Sequence, residues 1–106
     1  MYTVCETTLF NKLYPDYWTE DEYNEFKVFI ASNPEAGDVE PNAGGIRKIR
    51  WGASHIGKRG GVRIIYYNRL ANGQIWLLTI YGKSAVTQLK KSLLKQLVEK
   101  LNGTFK

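Results

Sequence analysis

The chain has 106 residues, 43% hydrophobic and 24% charged, proportions of an ordinary globular protein with room for one domain and one core. A lone cysteine, Cys5, excludes an internal disulfide and any metal site built from several thiolates. The formal charge of +5 hides a split: residues 1–40 carry nine of the ten acids and two bases, whereas residues 41–98 carry eleven bases and no acid.

A half so basic favours an anionic partner, either nucleic acid or a membrane surface. Membrane insertion is not expected, because no apolar run approaches the roughly 20 residues a span needs. The start, Met1-Tyr2-Thr3-Val4-Cys5-Glu6, lacks the basic and apolar segments of a signal peptide. The expectation is a cytoplasmic protein.

Tyr2–Glu6 reads as a short strand. Thr7–Tyr14 places Leu9, Phe10, Leu13 and Tyr14 at helical spacing, and Pro15 should end that helix by disfavouring helical backbone at Tyr14. Thr19 and Glu22 form a capping-box pattern, with Glu20 and Asp21 suited to the positive end of the helix dipole. The helix they open has Tyr23, Phe26, Phe29 and Ile30 on its apolar side and stops at Ser32-Asn33-Pro34. Pro34–Gly45 shows no periodicity and reads as a loop.

Three strands follow, at Ile46–Trp51, Val62–Asn68 and Gln74–Gly82. Asn72-Gly73 suggests a two-residue type I′ hairpin, which needs positive φ at both positions. From about Val86 to Asn102, Val86, Leu89, Leu93, Leu94, Leu97, Val98 and Leu101 make one helical stripe, closed by Gly103. The expected fold is α+β. It has a small, mostly antiparallel four-stranded sheet, two N-terminal helices on one face, and a C-terminal helix.

Symmetric closure of Gly52–Gly61 puts Arg50 opposite Arg63 and Trp51 opposite Val62. The tight hairpin would put Ile65 opposite Ile80 and Arg63 opposite Gly82. Alternation then gives one face Lys48, Arg50, Arg63, Ile65, Tyr67, Leu78 and Ile80. The other face, with Ile49, Trp51, Val62, Ile64, Tyr66 and Leu77, is the expected core under the N-terminal helices. Like charges directly opposite destabilise a sheet, and no acid of residues 41–98 relieves them. Lys83 should reach the same end of the sheet, and Leu78 and Ile80 offer a seat for the C-terminal helix.

Four converging cations suit a bound polyanion. The bland alternative is a solvated strand face. Lys58 and Arg59 lie in a glycine-rich loop that could approach a phosphate or serve only as a flexible tip. His55 in that loop reads as plain surface, Cys5 as a small core residue, and Tyr66, Tyr67 and Tyr81 as packing aromatics. Lys90, Lys91 and Lys95 most simply form the wet side of the last helix.

Four runs of the sequence resemble the HigB branch of the RelE/ParE toxin superfamily, in order and in spacing. They are Gly37-Asp38-Val39, Gly44-Gly45-Ile46-Arg47-Lys48-Ile49-Arg50, Gly57-Lys58-Arg59-Gly60-Gly61-Val62-Arg63-Ile64-Ile65-Tyr66-Tyr67 and Leu77-Leu78-Thr79-Ile80-Tyr81-Gly82-Lys83. The resemblance implies a bacterial type II toxin that enters the ribosome and cuts messenger RNA, by attack of a ribose 2′-hydroxyl on the adjacent phosphate, with no metal or other cofactor. By motif position, Arg63 and Lys83 would stabilise the phosphate and the transition state. Lys48 or Arg50 would position the phosphate or assist proton transfer, and Tyr81 is a further proton-transfer candidate. Arg47, Lys58, Arg59, Lys90 and Lys91 would meet RNA or ribosome. Neighbouring positive charge should lower the pKa of a lysine acting in proton transfer.

The implied partners are the ribosome with its message and a HigA-like helix-turn-helix antitoxin, through which alone the toxin would reach operator DNA. The sequence departs from the family after Lys83, where Ser84-Ala85-Val86-Thr87-Gln88-Leu89 replaces the usual acids. Two other functions compete: a ParE-like toxin acting on DNA gyrase without nuclease activity, and a plain basic nucleic-acid-binding module.

Overall fold

The structure is a computed structural model that describes residues 2–52, 61–82 and 98–99. The chain is an α+β protein. In order it forms β1 (Thr3–Glu6), α1 (Thr8–Leu13), a 3-10 turn (Tyr14–Asp16), α2 (Glu20–Ser32), β2 (Asp38–Val39), β3 (Arg47–Trp51), β4 (Val62–Arg69), a 3-10 turn (Leu70–Asn72) and β5 (Gln74–Gly82). Among the described residues no helix is long and apolar enough to cross a membrane.

Among the described residues the sheet has five strands rather than four, in the order β1-β5-β4-β3-β2. It is mixed: β1 runs parallel to β5, and the other pairings are antiparallel. The extra strand, β2, lies inside the stretch expected to be loop. Two residues are too few to show a period, and their strand form is imposed by a tertiary anchor. The buried Tyr66 hydroxyl accepts from the Gly37 N–H (2.8 Å) and donates to the Pro34 carbonyl (2.9 Å). The Asn68 amide donates to that same carbonyl at 2.8 Å. These bonds lay the chain against β3 just where Asp38 begins.

Both N-terminal helices start on side-chain caps. Thr7 accepts from the Phe10 N–H at 3.1 Å. Thr19 and Glu22 close the expected capping box on α2. α1 ends at Leu13, within the limit expected, but Tyr14 keeps right-handed helical backbone before Pro15 and the chain winds on as a 3-10 turn. Leu9 points to solvent, whereas Phe10 and Tyr14 are buried.

The helices cover one sheet face through an aromatic core. Phe10, Tyr14, Trp18, Tyr23 and Phe26 pack with Val62, Ile64, Tyr66, Ile75, Leu77 and Ile80. Trp51 closes the cluster edge-on against Phe26, with ring centroids 5.3 Å apart. The Trp18 indole N–H donates to the Gly52 carbonyl at 2.8 Å, fixing the end of β3. On the other face Ala43, Ile46, Ile65, Leu78 and Val98 form a smaller cluster. Val98 belongs to the stripe of the expected C-terminal helix; the rest of Val86–Asn102, apart from Glu99, lies outside the described residues.

The β4–β5 hairpin differs from the tight turn expected. Its loop spans Leu70–Gly73, and only Gly73 of the Asn72-Gly73 pair has positive φ (69°). Arg69 therefore pairs with Gln74, a shift of two residues that preserves which face each side chain takes. A bulge then intervenes: Tyr66 faces Leu77 and Ile65 faces Thr79, leaving Leu78 as the extra residue. Beyond it the parity of β5 is reversed. Ile80 lies opposite Ile64 in the helix-side core, not on the cationic face, and Tyr81, not Gly82, lies opposite Arg63.

Candidate functional site

The β3–β4 register is the one the sequence implied. Arg50 pairs with Arg63, Trp51 with Val62, and Lys48 with Ile65. Lys48 and Arg50 therefore share a face about 7 Å apart, with Arg63 directly across from Arg50. The bulge adds Tyr81, placed across β4 from Arg63. Arg50 is exposed, and Lys48, Arg63 and Tyr81 are half-buried. One sheet face thus brings together four of the five residues proposed for the chemistry. The fifth, Lys83, lies outside the described residues, as do Lys58, Arg59, Lys90 and Lys91.

Arg47 does not join them. It lies on the opposite face, and its guanidinium donates to the backbone carbonyls of Gly37 (2.8 Å) and Glu35 (3.3 Å). The side chain braces the loop that leads into β2.

The face is not free of acid. Glu40 lies just past β2, and its N–H bonds to the Ile46 carbonyl at 3.0 Å. Its carboxylate reaches the Lys48 ammonium at 2.9 Å. Asp38, two residues earlier, pairs with Lys48 in the β2–β3 register. Both acids were assigned to the acidic half of the sequence; β2 carries them across. The signal was the alternation Asp38-Val39-Glu40, unreadable without knowing that these residues pair with β3.

Glu40 also reverses the expected electrostatics of Lys48. Its hydrogen bond raises the lysine pKa, opposed by burial and by the neighbouring charge of Arg63. Lys48 is therefore a fixed cation at neutral pH, not a lysine tuned to exchange protons. The nearby Tyr81 phenol pushes in the same direction as Glu40.

No protein-family model matches the chain. What the site can do rests on its own groups. It offers two guanidinium groups and an ammonium for phosphate oxygens, a phenol beside them, and two carboxylates, Glu40 and Asp38, among the cations. Among the described residues no three His, Cys, Asp or Glu side chains gather as metal ligands do.

Proposed function

We propose that the chain is the toxin of a type II toxin–antitoxin system, with a RelE-like fold of the HigB branch, acting as a ribosome-dependent messenger RNA endonuclease. The observation that carries this reading is the grouping of Lys48, Arg50, Arg63 and Tyr81 on one face of the sheet. Arg50 and Arg63 stand at paired positions on neighbouring strands, where like charges repel. A phosphodiester between them turns that repulsion into binding.

In the proposed reaction the 2′-oxygen attacks the adjacent phosphorus and the bond to the 5′-oxygen breaks. The products are a 2′,3′-cyclic phosphate and a free 5′-hydroxyl. Negative charge grows on the phosphate oxygens as the new bond forms. Fixed cations aimed at those oxygens lower the barrier, and loss of one such donor typically costs about 100- to 1000-fold in rate. Arg63, with Lys83 as its proposed companion, stabilises that charge. Lys48 and Arg50 seat the phosphate, and the raised pKa of Lys48 suits it to that role. Tyr81, which pairs with Arg63, would pass a proton to the departing 5′-oxygen. The proposed partners are the ribosome and its message in the cytoplasm, and a HigA-like antitoxin that holds the toxin silent.

Adding the purified protein to translating ribosomes and mapping message 5′ ends tests this. New ends within translated codons support it. Intact message together with inhibited DNA supercoiling identifies a gyrase poison instead.

A further inference from the structure

We infer that Glu40 is the general base of this site, taking the 2′-hydroxyl proton while Lys48 holds the phosphate beside it. The inference rests on the endonuclease reading and assigns a role which that reading leaves open.

The ion pair is first of all unnecessary for stability. Glu40 and Lys48 keep 21% and 42% of their side-chain surface exposed. Pairs so exposed typically contribute only about 0–1 kcal/mol. On a phosphate-binding face a carboxylate is also a handicap, because it repels the ligand. A residue that weakens binding and adds little stability points to a role in the chemical step.

The neighbouring groups narrow the choice. Lys48 and Arg50 on β3, Arg63 on β4, Tyr81 on β5 and Asp38 on β2 share this face with Glu40. Guanidinium groups do not lose their protons in proteins. Lys48 is held in its charged form by Glu40 itself. The acid–base work at neutral pH therefore falls to a carboxylate or the phenol, and geometry ties Glu40 to a phosphate-seating cation: its carboxylate lies 2.9 Å from the Lys48 ammonium.

The geometry suits the reaction. An ammonium has three N–H donors, and Lys48 directs one at Glu40. A phosphate oxygen on a second donor would lie about 5 Å from the carboxylate oxygen, given ordinary hydrogen-bond lengths and tetrahedral nitrogen. A ribose 2′-hydroxyl adjoining that phosphate fits between them, within the roughly 2.6–3.2 Å reach of a base. Glu40 accepts the proton as the O2′–P bond forms and the P–O5′ bond breaks. The 5′-oxygen takes a proton from water or Tyr81, and Glu40 returns its own to solvent.

The test compares Glu40→Gln with the wild-type protein on programmed ribosomes in single-turnover cleavage. Binding is measured separately, on a message carrying 2′-deoxyribose at the scissile nucleotide. Glutamine keeps an oxygen for Lys48 but cannot take the proton. The expected result is binding as tight as wild type or tighter, with cleavage slowed about 100- to 10,000-fold. The acid limb of the wild-type pH–rate profile, which reports the general base, should vanish in the variant. Thermal unfolding confirms that the variant is folded. Wild-type cleavage by Glu40→Gln overturns the assignment and leaves the endonuclease reading intact, as does a slow variant whose whole defect is weaker binding. Absence of cleavage by the wild-type protein overturns both.

Discussion

Arg50 on β3 and Arg63 on β4 stand directly opposite one another across the sheet. A pair of like charges in that position weakens a sheet by up to about 1 kcal/mol. Arg50→Ala should therefore leave thermal stability unchanged or slightly raised, although it deletes a side chain. The same change should weaken binding of a short RNA and flatten its dependence on salt, because fewer counterions are released per complex. Calorimetry and salt-titrated binding on one preparation measure both. A clear loss of stability would mean that Arg50 serves the fold.

Gly37 is packed so closely that no side chain fits. A Cβ there would lie 2.8 Å from the Tyr66 ring and hydroxyl and 2.9 Å from the Lys48 carbonyl. Gly37→Ala should cost about 1–3 kcal/mol, the usual penalty for overpacking. Urea unfolding gives the stability. The shift should also reach the site, because the obstructing backbone is that of Lys48.

Tyr66→Phe keeps the ring and removes the hydroxyl that holds Gly37 and Pro34. The buried Gly37 N–H would lose its partner, at a cost of about 1–3 kcal/mol. β2 should then loosen, with faster hydrogen exchange at Glu40, whose N–H bonds to Ile46. Exchange at Glu40 no faster than in the wild type would show that β2 is anchored by some other contact.

Tyr14 and Tyr23 tie α2 to the 3-10 turn and to β1 through carboxylates. Tyr14 donates to Glu20 and Tyr23 donates to Glu6. The bond to Glu20 pushes the Tyr14 pKa up to about 12, and burial raises that of Tyr23 further. A raised phenol pKa means that the folded state holds its proton longer than the unfolded state. This contribution is fully present below the ordinary tyrosine pKa near 10 and is lost as pH climbs through the folded value. Stability should therefore fall above about pH 10, with late ionisation in the ultraviolet titration. Tyr14→Phe should flatten that fall.

Local signals in the sequence were enough for the helix starts, the three long strands and the β3–β4 pairing, because caps and alternation act within a few residues. The positions of β2 and Glu40 were not legible. They depend on the Tyr66 hydroxyl reaching back about thirty residues to Gly37 and Pro34, and no local pattern encodes that contact. The place of Tyr81 was hidden for another reason. It turns on one extra residue, Leu78, and a bulge of one residue reverses every side chain beyond it. The basic face itself could be read from charge alone; the acid inside it could not.

Single-turnover cleavage of ribosome-bound message by Arg63→Ala, checked for native unfolding behaviour, puts the cationic face on trial. If Arg63 meets the charge that builds on the phosphate, the rate should drop by about 100- to 1000-fold with little change in message binding. A folded variant that cuts as fast as the unaltered protein would show that this face does not carry the chemistry.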